Sequence, residues 1–486
     1  MAKEELTALL EHVEAKRPHT VPETVPTPTL EYRAHKRLMR AASALPTATA
    51  RPLPLPLPIP APFPLPLPFL VGPRVLMWKQ DPSVAEIGIR KAFLPRPVST
   101  GPRDARISVT ITGMPPVVAN ALGDFIQTPL TAEFDAVHTF AVVRQTLTMY
   151  QRALAAGNTP ATLPWRWNGP SNSDPIQVQP RHSQMQNAFY SPGQRLLAFG
   201  FFQQGSSQIF TCRSLDIVAH EAGHAILDGL KPNWITAPNP QTGGLHESFG
   251  DLSAIFLALS QLDQVEAIIA QTKGNLHNKT FLSDLAEQFG LALGRPNGLR
   301  NADNDLTLSQ VGNEVHAISQ VFTGAIYDIL ADIYAFERRP VRDDAIVLYE
   351  TAQYVLSLLI RAIVASPNAG ATYADVANRM LNIAQADGKP VQYRNFIRNR
   401  FTVRQVVVQP SPLTEDAASD LQLEESEFAR ALADQPQDRT GCCGTMTLPE
   451  NCGIETLIED ELTAFRDALK SEAAARSRPV ARERKS

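Results

Sequence analysis

Apolar residues recur at helical spacing along most of the second half of the chain. Residues three and four positions apart share one face of a helix, so each such segment has a side that can pack in a core. The pattern begins near Leu252 and continues almost to residue 405. The predicted helices are Leu252–Lys273, Phe281–Leu293, His316–Phe336, Asp343–Ala365, Thr372–Ala386 and Val391–Arg404.

The first half of the chain has a different pattern. Ala105–Gly113 alternates apolar and polar side chains as a half-buried strand does, and a second strand-like run occupies Asn187–Phe202. Between them, Glu133–Ala155 carries apolar residues at helical spacing. These patterns predict a β-rich N-terminal lobe with at least one helix over residues 71–212, followed by a helical lobe over residues 213–408.

Three further segments lie outside these two lobes. Residues 1–50 predict a helical extension, and residues 51–70 alternate proline with apolar side chains, which excludes a helix and favours a polyproline II linker. Residues 409–486 predict a C-terminal extension with a cluster of three cysteines, Cys442, Cys443 and Cys452. Free thiols are the default interpretation, and a bridge between the third cysteine and one of the adjacent pair is the alternative.

Composition places the chain in the globular class. Its 486 residues suffice for two or three domains or one two-lobed protein with extensions, and 44% of them are hydrophobic. The net charge of −4 gives no reason to expect nucleic acid as a partner. The N-terminus lacks the apolar core of a signal peptide, and no run of about eighteen apolar residues occurs. We therefore expect no transmembrane segment and a cytoplasmic location, with non-standard export as the alternative.

Candidate chemistry begins in residues 214–230, SLDIVAHEAGHAILDGL, which predict a buried helix capped by Ser214. His220 and His224 are four positions apart, so their Cβ atoms lie on one face about 5–6 Å from each other. Two imidazoles at that separation can each place a nitrogen about 2.0–2.1 Å from one zinc ion. Glu221, one step round the helix, can then reach a metal-bound water without binding the metal.

A second helix, predicted over Gly244–Phe256, carries two acidic side chains in otherwise apolar surroundings. Glu247 and Asp251 are also four positions apart, and a buried carboxylate without a partner is energetically costly. Glu247 would complete a three-ligand zinc site, and Asp251 would accept the second ring N–H of a ligand histidine. The alternative is a coincidental motif in a helix whose histidines are merely hydrogen-bonded.

These two helices resemble the zinc site of the thermolysin-like (M4-type) metallopeptidases of the gluzincin group. Asn187–Tyr190 is similar to the edge strand with which that family pairs its peptide substrate, and Val315–Ser319 is similar to its G-V-H-x-x-S segment. The resemblance implies an α+β, two-lobed metallopeptidase fold. Its N-terminal lobe would be mixed and β-rich, its C-terminal lobe all-helical, and the zinc helix would lie between them.

The resemblance also implies a catalytic role for individual residues. Zinc would be held by His220, His224 and Glu247. Glu221 would act as general base toward the zinc-bound water, and His316 would donate a hydrogen bond to the developing oxyanion. The implied function is zinc-dependent hydrolysis of peptide bonds. The alternative is a zinc-bearing, peptidase-like protein with weak or no proteolytic activity that acts as a binding module.

The expected partner is therefore a peptide or protein substrate. Asn187 and the backbone of Ala188 would hold the peptide as an added strand, which gives affinity without strict sequence demand. Arg300 loosely matches a family segment whose arginine contacts the substrate carbonyl. A surface salt bridge is an equally good interpretation of Arg300.

Two departures from the family pattern concern the oxyanion. No tyrosine occurs between Ala225 and His246 to act as a second donor, so Trp234 or His246 must substitute or the role is vacant. Val311 stands where an aspartate normally orients the oxyanion histidine. Because loss of one such donor typically costs about 10²–10³ in rate, these departures predict a slow or narrowly specific enzyme.

A third departure concerns calcium. Asp216 matches a calcium ligand of the family, but the position of its expected acidic partner is Ala258. Calcium needs several oxygen ligands, so calcium is doubtful as a cofactor and zinc is the expected one. The negative charge of Asp216 would instead stabilise the N-terminus of the zinc helix.

Overall fold

The computed structural model describes residues 72–84, 87–94, 98–157, 163–286, 288, 290 and 298–406. The predictions for residues 1–50, 51–70 and 409–486, including the cysteine cluster, lie outside these ranges. Within them the chain is mixed α and β, with several long helices and small sheets. The two-lobed layout, with its boundary at residue 212, stays a prediction.

Eight α-helices occur in the described residues. They are α1 (Ala132–Ala156), α2 (Leu215–Leu230), α3 (Pro240–Leu259), α4 (Leu262–Thr272), α5 (Val315–Glu337), α6 (Asp344–Ala365), α7 (Tyr373–Ala386) and α8 (Val391–Val403). Six of them begin at a side chain that accepts a hydrogen bond from a backbone N–H of the first turn. These cap residues are Thr131, Ser214, Asn239, Glu314, Asp343 and Thr372.

The strands are short and belong to four separate sheets. They are β1 (Arg74–Trp78), β2 (Ile89–Phe93), β3 (Ile107–Val109), β4 (Ile176–Gln179), β5 (Ala188–Ser191), β6 (Leu196–Phe199), β7 (Phe201–Gln204), β8 (Ser207–Phe210), β9 (Asp284–Leu285) and β10 (Arg300–Asn301). The largest sheet has the order β3-β4-β6-β5, with β5 antiparallel to β6 and the other pairs parallel. The other three sheets are two-stranded and antiparallel: β1 with β2, β7 with β8, and β9 with β10.

The structure differs from two predictions for the helical half. Leu252–Lys273 is not one helix, because α3 ends at Leu259 and the chain bends by 93° before α4. The segment that begins at Phe281 first enters strand β9, so this half of the chain is not all-helical, and helix is present later in the segment at Gln288 and Gly290. A side-chain hydrogen bond of 2.8 Å from Asn301 Nδ2 to Asp284 Oδ1 joins the short pair. Most of the remaining predicted segment lies outside the described residues.

Helix α3 is the central element of the core. All of its side chains are buried, and it packs between α2 and α5. Glycines allow the close approach of α2 and α3, because a Cβ on Gly223 would lie 2.4 Å from Ser253 Oγ and 3.2 Å from Gly250 Cα. The two helices that carry the candidate ligands are therefore held in direct backbone contact.

One helix of the described residues, α6, is long and apolar enough to cross a membrane, and α3 with α4 meets the same criterion only as a bent pair. In α6, 67% of the most apolar window is buried inside the protein. A core helix meets the same criterion of length and composition, so this is weak evidence for a membrane span.

Candidate metal centre

His220, His224 and Glu247 converge in the buried interface between α2 and α3. Nε2 of His220 lies 3.5 Å from Oε2 of Glu247, and Nε2 of His224 lies 3.5 Å from Oε1 of the same carboxylate. One ligand atom from each residue falls within 4.8 Å of both others. These three side chains could therefore hold a metal ion.

The donor set and its spacing fit a tetrahedral ion such as zinc. Two donors that are each about 2.0–2.1 Å from such an ion lie about 3.4 Å apart, which is close to the spacings above. Nε2 of His224 is buried and makes no hydrogen bond to any described residue. An unsatisfied buried nitrogen is costly, and coordination would satisfy it. Two imidazoles and one carboxylate also form the ligand set of known catalytic zinc sites.

The other ring nitrogen of His220 faces a carboxylate. Nδ1 of His220 lies 3.0 Å from Oδ1 of Asp251, which also accepts from Arg300 Nη2 at 2.7 Å and Nε at 3.0 Å. Burial lowers the pKa of His220, but the hydrogen bonds to Asp251 and Glu247 outweigh it and raise the pKa to about 9. Burial acts to raise the pKa of Asp251, but the Arg300 guanidinium and His220 hold it below its usual value. Asp251 therefore stays ionised and orients the His220 ring.

His224 has a different partner, a histidine that the sequence did not predict in this role. Its Nδ1 lies 2.8 Å from Nδ1 of His246, and the two rings are 4.8 Å apart. Burial lowers the pKa of His224 well below its usual value and that of His246 to about 4, so both rings are neutral at neutral pH. From the sequence, His246 was a candidate oxyanion donor only, although its position just before Glu247 is a signal that it lies near the ligands.

His316 lies at the start of α5, between two carboxylates. Its Nδ1 is 2.5 Å from Glu314 Oε1, and its Nε2 is 3.1 Å from Glu247 Oε2. Glu314 is also the cap of α5, since it accepts from the backbone N–H of His316 and of Ala317. The expectation that His316 lacks an orienting carboxylate, based on Val311, is therefore wrong. Burial acts to raise the pKa of Glu314, but its contacts with His316 hold the pKa below its usual value.

The remaining predicted site residues have defined places in the fold. Glu221 is 1% exposed and follows His220 in α2. Asn187 precedes β5, and its Oδ1 accepts a hydrogen bond of 2.9 Å from the backbone N–H of Ala188. Arg300 forms a salt bridge with Asp251, as its second interpretation expected, but its side chain is only 10% exposed, so this pair does not lie on the surface.

Two residues that were named with the departures from the family pattern, Trp234 and Asp216, make other contacts. Trp234 Nε1 donates to the carbonyl oxygen of Pro367 at 3.0 Å, so the indole is not directed to the metal centre. Asp216 lies in the first turn of α2, and its Oδ2 accepts from the backbone N–H of Ala286 at 3.0 Å. Ala258 is fully buried in α3 and provides no oxygen ligand from its side chain.

Comparison with known proteins gives little further information. No protein-family model and no curated protein matches the chain. Solved structures that match include the precursor of protealysin, a metalloproteinase from Serratia proteamaculans, at 15% sequence identity and a TM-score of 0.40. The match covers 64% of this chain and 89% of that one. A likeness at this level is too low to assign a fold or an activity.

Proposed function

We propose that this chain is a zinc-dependent metallopeptidase that hydrolyses peptide bonds, with His220, His224 and Glu247 as the zinc ligands. The observation that carries the proposal is the convergence of these three buried side chains at donor spacings of 3.5 Å. The buried Nε2 of His224, which makes no hydrogen bond to the described residues, supports it, because coordination of an ion would satisfy this nitrogen.

A zinc ion at this centre would polarise the scissile carbonyl and lower the pKa of a water to about 7. Glu221 is the residue we assign as general base. It is buried, follows His220 directly in α2 and does not belong to the ligand set. Its carboxylate would take the proton of the attacking water and pass it to the leaving amine.

His316 is the residue we assign to the developing oxyanion. Carboxylates face both of its ring nitrogens, so the ring would be a charged donor with both nitrogens protonated. Glu314 anchors Nδ1, which leaves the proton on Nε2 directed toward the Glu247 carboxylate. A preorganised donor at that position would stabilise negative charge as it forms.

The substrate would bind as an added strand along β5. This strand pairs with β6 on one side and forms the edge of its sheet in the described residues. Backbone pairing on such an edge holds a peptide with little sequence demand. Asn187 and Ala188 lie at the start of this edge, and Arg300 would approach the substrate while it remains paired with Asp251.

One observation favours a second candidate, a zinc-bearing protein with weak or no proteolytic activity that binds peptides. The two residues considered as second oxyanion donors both have other partners, since Trp234 bonds to Pro367 and His246 bonds to His224. Only His316 is then left for that role among the residues considered. A single donor predicts a rate lower by about 10²–10³ than two donors would give.

A peptide-library digest of the full chain, with and without chelator, tests both candidates. Under our proposal, zinc-loaded protein cleaves peptides, and the chelator abolishes cleavage. Glu221→Gln would keep stoichiometric zinc and lose turnover, whereas Glu266→Gln, a matched change at an exposed position of α4, would leave both unchanged. Full activity of Glu221→Gln would contradict the assigned base. Stoichiometric zinc without cleavage of any peptide would favour the second candidate.

A further inference from the structure

His246 makes a contact that the proposed chemistry does not use. It lies in α3 one residue before Glu247, and it is completely buried. Its Nδ1 is 2.8 Å from Nδ1 of His224, and the two rings are inclined by 30°. Its Nε2 is buried and has no hydrogen-bond partner among the described residues. The contact with Nδ1 of His224 is therefore the side-chain hydrogen bond of His246 whose role has to be explained.

Two ring nitrogens at this distance share one proton, because one must donate and the other must accept. A neutral histidine that binds a metal through Nε2 carries its proton on Nδ1. His224 would then donate to His246, whose own proton would be on Nε2. In the reverse arrangement His246 donates, Nε2 of His224 carries the proton, and His224 has no lone pair left for an ion.

We propose that His246 is a positioning residue for His224. By accepting a hydrogen bond from Nδ1 of His224, it selects the tautomer that can bind an ion and fixes the orientation of the ring. This inference rests on the proposed function, because it assigns His246 to the same zinc centre. The proton count of the neutral pair is the same in both tautomers, so the selection needs no net gain or loss of protons.

The two ligand histidines are therefore supported from α3 by partners of different chemistry. Asp251 is a carboxylate that only accepts, so it allows a single tautomer of His220. His246 can either accept or donate, so it selects the metal-binding tautomer of His224 only with its own proton on Nε2. Asparagine at position 246 would keep an acceptor oxygen, and leucine would keep the apolar volume without any acceptor. These two substitutions separate hydrogen bonding from packing.

The experiment measures zinc affinity by competition with a chromophoric chelator for the wild type, His246→Asn, His246→Leu and a control, His138→Leu. His138 is a buried histidine of α1 outside the metal centre. We expect His246→Leu to weaken binding about 10–100-fold, as is typical for loss of a partner of a ligand histidine. We expect His246→Asn and the control to stay within about threefold of the wild type. If His246 only fills space, leucine would retain affinity and the smaller asparagine would lose it.

The outcomes separate this inference from the proposed function. If the wild type binds no stoichiometric zinc, both fail. If the wild type binds zinc and His246→Leu binds it equally well, the inference alone fails. If a variant does not fold, NMR of the zinc-loaded wild type labelled with 15N-histidine shows which ring carries the shared proton. A scalar coupling between the two Nδ1 atoms, with the proton on His224, is expected. A proton on Nδ1 of His246 would overturn the inference.

Discussion

Gly250 faces the ring of His220 across the interface between α2 and α3. A Cβ added at this position would lie 2.6 Å from both Nδ1 and Cε1 of the imidazole. Ordinary contact between such atoms is about 3.5–4.0 Å, so Gly250→Ala would displace the ring by about 1 Å or separate the two helices by a similar amount. Either displacement moves Nε2 of His220 relative to Oε2 of Glu247. These two atoms are 3.5 Å apart, and an ion would bind between them.

The expected loss is mainly in metal affinity and much less in stability. Inserting a methyl group into a packed interior destabilises the folded state by about 1–3 kcal/mol. Replacing glycine by alanine within a helix stabilises it by up to about 1 kcal/mol. Net destabilisation should therefore be about 0–2 kcal/mol. A misdirected ligand should weaken zinc binding about 10–100-fold, because tetrahedral coordination tolerates little displacement of a ligand.

Chelator competition and urea unfolding of the apoprotein measure the two effects of Gly250→Ala separately. Gly193→Ala provides a control, since a Cβ at Gly193 would meet no atom within 4 Å. The control should match the wild type in both assays. Wild-type zinc affinity in Gly250→Ala would refute the argument that this glycine sets the ring position. A loss of stability without any loss of affinity would refute it as well.

Two further predictions concern Asp228 and the contact between His316 and Glu314. Burial raises the pKa of Asp228 to about 6 although Tyr190 and Arg166 donate to it, so the native state binds this proton more tightly than the unfolded chain. Stability should then fall by at most about 3 kcal/mol as pH rises from about 4 to about 6, and Asp228→Asn should remove that slope in urea unfolding. A slope that survives in Asp228→Asn would exclude this carboxyl as its source. His316→Gln should lower kcat about 10²–10³-fold with zinc content unchanged, measured by peptide cleavage and metal analysis. Glu314→Gln should lower kcat by a smaller factor, and an effect of Glu314→Gln larger than that of His316→Gln would contradict the orienting role.

Local signals allowed most helices to be predicted from the sequence. Helices α5 to α8 begin and end within one residue of the predicted limits, because apolar periodicity and capping side chains act over a few neighbouring residues. The bend after Leu259 was missed, since apolar periodicity continues on both sides of it. Strand β9 was missed because two residues are too few to show any alternation, and its pairing with β10 is a tertiary contact.

The candidate site was predictable to the extent that its residues share a helix face. The spacing of His220 and His224 on one helix and of Glu247 on the next allowed their convergence to be foreseen. The contact between His246 and His224 depends on how α2 and α3 are rotated against each other, which no periodicity specifies. The orienting carboxylate of His316 was missed because Glu314 is not the usual residue type at a helix cap and does not occupy the expected position.

The most direct test of the central claim is zinc anomalous scattering from a crystal of the full chain grown with zinc. We predict one strong peak about 2.0–2.1 Å from Nε2 of His220, from Nε2 of His224 and from a carboxylate oxygen of Glu247. The peak should disappear in crystals of Glu247→Ala. A wild-type crystal with no peak at these three side chains, although zinc was supplied in excess, would contradict the account.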